Sequence, residues 1–258
     1  MKTDQTEIRA TTQHGKGRSI NLTLSYRGKE ALKHIKLDKE IINRYTIPVY
    51  GRLVHDVSGN LRKVPYGKSD EFISSIDRRT LNKVLLEEVK KHKNVSCYFN
   101  HKLVMCDIVK GDITLEQTLN GDKINRKANL IIGTDGAHSV VRQQIMKETH
   151  MNYEQEYIKH GYMELVIPAT ASGDFAMEYE VLHLWPRDEF MMIALPNLDR
   201  SYTCSLFMPF DIFDSITLVE DFLNFFKKNF GDVVPLIGEQ RLKETFENNK
   251  VYPMISIK

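Results

Sequence analysis

The chain lacks the cysteines for a disulfide scaffold, the net charge for a polyanion partner and an apolar run long enough to span a bilayer. Its three cysteines, Cys97, Cys106 and Cys204, are an odd number without CxxC spacing. That excludes a zinc ribbon and a disulfide framework, points to a reducing compartment, and leaves all three as small buried hydrophobes. Basic residues number 36 against 34 acidic, a net charge of +2, which gives no reason to invoke nucleic acid or an anionic membrane. The longest clean apolar stretch, Phe190 to Leu195, falls far short of the ~18 residues a membrane helix needs. Met1 to Gly17 is polar and does not read as a signal peptide. As written, the chain reads as soluble. The nine histidines include no HExxH and no CxH metal spacing, so no metal is expected. Ser19 and Ser139 lack a GxSxG context, there is no GxxxxGK[ST] loop, and His138 and His183 read as packing or loop residues.

With 258 residues, 41% hydrophobic and 27% charged, the chain can bury one large core or two modest ones. Residues 28–36 predict a short helix with Ala31, Leu32 and Ile35 inward. Residues 47–66 hold two strand-like pieces around Asp56-Val57-Ser58-Gly59-Asn60, a hairpin that sets Arg52 and Tyr66 on opposing strands. Asp77 can cap a helix running to about His92, in which Leu81, Leu85 and Val89 recur every fourth residue. Strands are expected at Ser96 to Phe99, Lys102 to Val109 and Ile113 to Gln117, then a compact buried strand at Asn129 to Ile132 and a helix from Ser139 to about Met146. After residue 150 longer alternating strands take over, with Met163, Leu165 and Ile167 on one face and segments 180–185, 190–196 and 202–208 continuing. Asn197 to Arg200 makes a turn, and Thr217-Leu218-Val219-Glu220 reads as a capping box before an apolar helix that stops at Gly231. The expectation is an α/β half, residues 1–150, followed by an antiparallel-sheet half, residues 151–258.

The strongest local signal is Leu130-Ile131-Ile132-Gly133-Thr134-Asp135-Gly136-Ala137-His138-Ser139-Val140-Val141-Arg142. Two glycines around an acid, then a helix start, let backbone approach a phosphate or ribose and offer unpaired N–H groups to an anion. Many α/β loops use Gly and Asp only to turn, so on these residues alone the two readings weigh evenly. The whole string resembles the "DG" motif of the flavoprotein aromatic hydroxylases, the family with the para-hydroxybenzoate hydroxylase fold. Further stretches resemble the kynurenine 3-monooxygenases in the same order: Gly17 to Leu22, Val64-Pro65-Tyr66-Gly67, Asn100-His101, His160 to Leu165, Trp185-Pro186-Arg187, Phe190 to Asn197 and Leu206 to Phe210. The similarity runs from about Ile8 to Lys258.

That resemblance implies an FAD-dependent enzyme that uses NADPH and O2 to hydroxylate L-kynurenine to 3-hydroxykynurenine, with the flavin doing the chemistry and no catalytic side chain. It assigns FAD and nicotinamide contacts to Asp135, Gly136, Ser139 and Arg142, and flavin contacts to Arg78, Thr23, Leu103 and, on a nearby loop, Arg18. It assigns the substrate carboxylate to Arg52 and Tyr66, a guanidinium fork plus a phenol donor. Leu182, Ile193, Leu195 and Phe207 would wall the pocket around the flat ring. Family members also carry an N-terminal strand with a GxGxxG turn, a later Gly-Asp motif and a C-terminal anchor to the mitochondrial outer membrane. The chain is therefore expected to hold an incomplete Rossmann-like FAD-binding half, and to bind FAD weakly and be inactive alone. Two other readings stay open: a family member acting on a different phenol or aniline, and a non-catalytic binding module.

Overall fold

The computed structural model describes residues 21–68 and 70–258. In chain order these form β1 (Asn21–Leu24), α1 (Tyr26–His34), α2 (Asp38–Tyr45), β2 (Ile47–Val49), β3 (Gly51–His55), β4 (Leu61–Pro65), β5 (Ile73–Asp77) and α3 (Arg78–Val89). Next come β6 (His101–Asp107), β7 (Asp112–Gln117), β8 (Lys123–Lys127), α4 (Val140–Glu148), β9 (Gln155–Ile167), β10 (Val181–Arg187), β11 (Phe190–Pro196) and β12 (Tyr202–Pro209). The chain closes with α5 (Phe210–Ser215), α6 (Val219–Asn229), α7 (Val234–Ile237), α8 (Glu239–Asn248) and β13 (Tyr252–Ile257).

The chain divides into two compact units. The larger combines residues up to Val89 with Lys159–Met254; the smaller combines Lys90–Ile158 with Ile255–Lys258. This corrects the single boundary expected at residue 150. The cause is a non-local pairing: β3 runs parallel to β10, with Arg52 beside Leu182, so the first third of the chain completes a sheet made mostly by the last.

In the larger unit a seven-stranded sheet has the order β13-β9-β12-β11-β10-β3-β4, and a three-stranded sheet has the order β1-β5-β2. Alternation decides which face of the large sheet is covered. Met163, Leu165, Ile167, Trp185, Met192, Cys204, Leu206 and Met208 point to one side, where they meet Phe222, Leu223 and Phe226 of α6 and then Phe230. Each fully buried side chain of this kind contributes about 1.5–3 kcal/mol, so this face is the stabilising core. Helix α6 presents its aromatics at i, i+4 spacing, which puts Phe222 and Phe226 on one stripe with ring centroids 4.9 Å apart. A second core under the small sheet gathers Leu32, Leu37, Ile41, Ile76 and Val84. Asp77 caps α3 as the sequence predicts, its Oδ1 accepting from the Thr80 backbone N–H at 2.7 Å.

The smaller unit has the sheet order β6-β7-β8 and the helix α4. Gly111 and Gly121, both with left-handed φ, turn the chain between β6 and β7 and between β7 and β8.

Four local expectations are corrected. Residues 129–132 form no strand, and Leu130 and Ile132 are 77% and 75% exposed. Among the described residues no strand pairs with this segment, and an apolar run without a ladder partner has nothing to bury it. Residues 96–99 also stay irregular, with Tyr98 exposed, for the same want of a partner. In α1 only Leu32 is buried, while Ala31 is exposed and Ile35, at the C-cap, is 50% exposed, because a nine-residue helix seats one stripe and its end lies past the core. The N-cap of α6 is Leu218, with no side-chain cap, one residue later than the Thr217 box requires.

Candidate functional site

In the larger unit the face of the big sheet opposite the core is only partly covered, and all six proposed substrate contacts lie on it or beside it. Register sets the geometry. Arg52 pairs with Val64 on β4 and with Leu182 on β10. Leu184 pairs with Ile193, Ile193 with Ser205, and Ser205 with Glu164, which makes one continuous row across four strands. Leu195 pairs with Thr203, and Phe207 lies between Met191 and Tyr162. Directly paired residues share a face, so these side chains point the same way.

The hairpin brings Arg52 and Tyr66 together as expected. Tyr66 follows β4, and its N–H donates to the Tyr50 carbonyl at 3.0 Å. The Arg52 guanidinium carbon stands 5.2 Å from the centroid of the Tyr66 ring, a cation–π contact, and Arg52 is exposed. The guanidinium is therefore oriented while its fork remains open to a ligand. Beside Tyr66 a cleft of about 450 Å³ is lined by Tyr26, Lys29, Glu71, Phe72 and others. Leu182 adjoins Arg52, and Ile193 and Leu195 stand two strands away, ~10 Å across the sheet. Phe207 is on the same face but lies three strands across and four residues along, ~20 Å from Arg52 at standard spacings. One small molecule held by Arg52 reaches the three aliphatic residues more readily than Phe207.

Among the residues proposed for the flavin, Thr23 is exposed on β1 opposite Ser75, and Arg78 is exposed at the first position of α3. Arg18 lies outside the described residues.

In the smaller unit the loop before α4 carries the rest. Asp135 faces its own helix: Oδ1 accepts from the Ser139 hydroxyl at 2.5 Å and Oδ2 from the Val140 N–H at 2.7 Å. The Ser139 hydrogen bond, together with backbone N–H groups, holds its carboxyl below the ordinary range. Ser139 caps α4, its Oγ accepting from the Arg142 N–H at 3.0 Å. Arg142 is tied back into the same loop through the Ala137 carbonyl and the Tyr153 hydroxyl, and its guanidinium lies 4.4 Å over the Tyr153 ring. Its Nε is buried without a partner. Gly136 is exposed with φ +78°, a left-handed conformation that a side chain disfavours, and a Cβ there would meet nothing within 4 Å. At Gly133 a Cβ would come 2.7 Å from Val141 Cβ, so that glycine lets the loop lie on the helix. Leu103 is half-buried on β6 opposite Leu115, next to an irregularity in the ladder.

Two features escaped sequence reasoning. Glu164 falls between Met163 and Leu165, so it faces the side of the sheet away from the core, and burial raises its carboxyl to about 7 against the opposing pull of Arg78 and Arg79. Its Oε1 is buried without a partner. The signal was a charge interrupting an apolar strand at period two. The second is His183, buried and hydrogen-bonded to His55, a partner 128 residues away that no local pattern reveals.

The family described as "FAD binding domain" matches residues 7–210. A Sus scrofa protein named kynurenine 3-monooxygenase is 47% identical over 248 residues, covering 95% of this chain and 52% of that protein. A Drosophila melanogaster protein of the same name is 46% identical over 243 residues, covering 94% and 52%. The chain thus spans about half the length of the curated relatives it matches. Among solved structures, a tetrameric 2-methyl-3-hydroxypyridine-5-carboxylic acid oxygenase superposes with TM-score 0.69 at 18% identity, covering 95% of this chain and 62% of that one. Pseudomonas PqsL in complex with 2-aminobenzoylacetate gives TM-score 0.67 at 16% identity, covering 94% and 65%. At these identities the structures establish the fold. Among the described residues no helix is long and apolar enough to cross a membrane.

Proposed function

Because the chain belongs to the FAD binding domain family, we propose that it forms part of an FAD-dependent monooxygenase that converts L-kynurenine to 3-hydroxykynurenine, consuming NADPH and O2. The observation that carries this reading is the partly covered sheet face on which Arg52, oriented over Tyr66, stands beside Leu182 on the same side as Ile193 and Leu195. The relatives' name supports it.

An amino-acid carboxylate fits the Arg52 fork, which makes two parallel charge-assisted hydrogen bonds, and the Tyr66 hydroxyl adds a third donor. An aminophenyl ring then lies over the aliphatic side chains, which exclude water from the reacting carbon. Bound flavin, reduced by NADPH, supplies the redox chemistry and the activated oxygen. In the smaller unit the exposed, left-handed Gly136 leaves room for a flavin hydroxyl or phosphate to approach the backbone. There Asp135 and Ser139 shape the loop, since both are engaged with the helix, and Arg142 braces it from behind. Thr23, Arg78 and Leu103 complete the proposed flavin contacts. A mitochondrial outer membrane location goes with the same reading.

The test is a chimaera in which this chain replaces the matching segment of the Sus scrofa relative. Expected is flavin binding, kynurenine-stimulated NADPH oxidation and formation of 3-hydroxykynurenine. A chimaera that binds flavin and is reduced by NADPH, yet leaves kynurenine unchanged, would overturn the substrate assignment.

A further inference from the structure

On the core side of the large sheet, three acceptor-or-donor steps run in an unbroken line. Asp232 Oδ2 stands 2.9 Å from His55 Nδ1, His55 Nε2 stands 2.9 Å from His183 Nδ1, and His183 Nε2 stands 2.8 Å from the Glu178 carbonyl oxygen. Both imidazoles are buried. Each of these hydrogen bonds requires one proton between its two atoms. The carbonyl at one end has none to give. At the other end Asp232 is an anion: burial works against its charge, but hydrogen bonds from His55 and Trp185 hold its carboxyl below the ordinary range. Three bonds between two pure acceptors therefore need three ring protons, whereas two neutral imidazoles carry only two.

We propose that His55 and His183 share three ring protons, so that the pair carries one positive charge against the Asp232 carboxylate and clasps strand β3 to β10 and to the turn after α6. The third proton belongs on His55. His183 is pushed down to about 4, chiefly by burial, which keeps it neutral. The Trp185 ring stacks on His55 with centroids 4.2 Å apart and planes 27° apart, presenting the indole face to a cation, while its Nε1–H donates to the same Asp232 oxygen at 2.8 Å. The other charged groups nearby are Arg187, whose Nη1 donates to the His55 carbonyl at 3.0 Å, Asp56, and the Glu178 carboxylate, which pairs with Lys63 of β4. Strand alternation turns His55 inward and Arg52, three residues earlier, outward. The clasp thus fixes the strand from which Arg52 projects, and the inference stands whatever ligand Arg52 binds.

The test is a two-bond ¹H–¹⁵N correlation spectrum of this chain with ¹⁵N-labelled histidine near neutral pH. Expected is a His55 ring with both nitrogens protonated and a His183 ring protonated at Nε2 alone. Two neutral rings, or a neutral His55 beside a protonated Asp232 carboxyl, would overturn the count. Asp232→Asn removes the charge and supplies an amide N–H that can donate to His55 Nδ1, so two neutral rings then satisfy all three bonds; His55 is expected to shed one ring proton, and the amides of Arg52 to His55 to exchange about tenfold faster. An unchanged His55 spectrum there contradicts the proposal. Should that variant fail to fold, His183→Gln serves, because its amide donates to Glu178 and accepts from His55. In that variant His55 is expected to stay doubly protonated, and a neutral ring would refute the clasp.

Discussion

Substituting Arg52 by Ala separates a carboxylate clamp from a surface charge. The guanidinium is exposed and stacked on Tyr66, so its fork is free for a ligand but competes with water. A hydrogen bond to a charged group contributes about 1.5–3 kcal/mol net, and the exposure argues for the lower end. The expected loss of affinity for L-kynurenine is therefore about tenfold. The control ligand is kynuramine, which keeps the aminobenzoyl group and the side-chain amine but has no carboxylate. Calorimetric titration of wild type and Arg52→Ala with both ligands, in the presence of FAD, forms a thermodynamic cycle. Wild type is expected to prefer kynurenine and the variant to bind both alike. Equal losses for both ligands would refute the clamp, since Arg52 would then be supporting the hairpin and not the carboxylate.

Glu164→Gln tests the buried carboxyl. Its value is raised to about 7, so the favourable contribution is fully present below the unfolded carboxylate value and disappears as pH rises through about 7. The Gln variant should match wild type near pH 4 and exceed it near pH 8 by about 1 kcal/mol, a figure reduced for partial solvent screening, as read from urea midpoints. Ser139→Ala removes the α4 cap and should cost about 1 kcal/mol, seen as faster amide exchange in the first turn of that helix. Phe226→Ala empties the centre of the aromatic core and should destabilise by about 3–5 kcal/mol in urea unfolding.

The parts of this fold legible in the sequence are those that local rules determine. Period-two alternation located β9 to β12, the Asp56 to Asn60 turn located the β3–β4 hairpin, and that hairpin brought Arg52 and Tyr66 together. What depends on distant partners was not legible. The segment 129–132 has a strand's composition, yet a strand exists only where a ladder partner is present. The parallel pairing of β3 with β10 joins residues 130 positions apart, and the His55–His183–Asp232 line depends on it. Resemblance proposes Asp135 as a flavin contact, while its engagement with the α4 N-terminus required the geometry.

The most direct measurement is methyl NMR of this chain titrated with L-kynurenine in the presence of FAD. Shifts concentrated at Leu182, Ile193 and Leu195, with Leu165, Met192 and Leu206 on the opposite face unmoved, are the expected result. No shift on the open face, or shifts confined to the core face, would contradict the account.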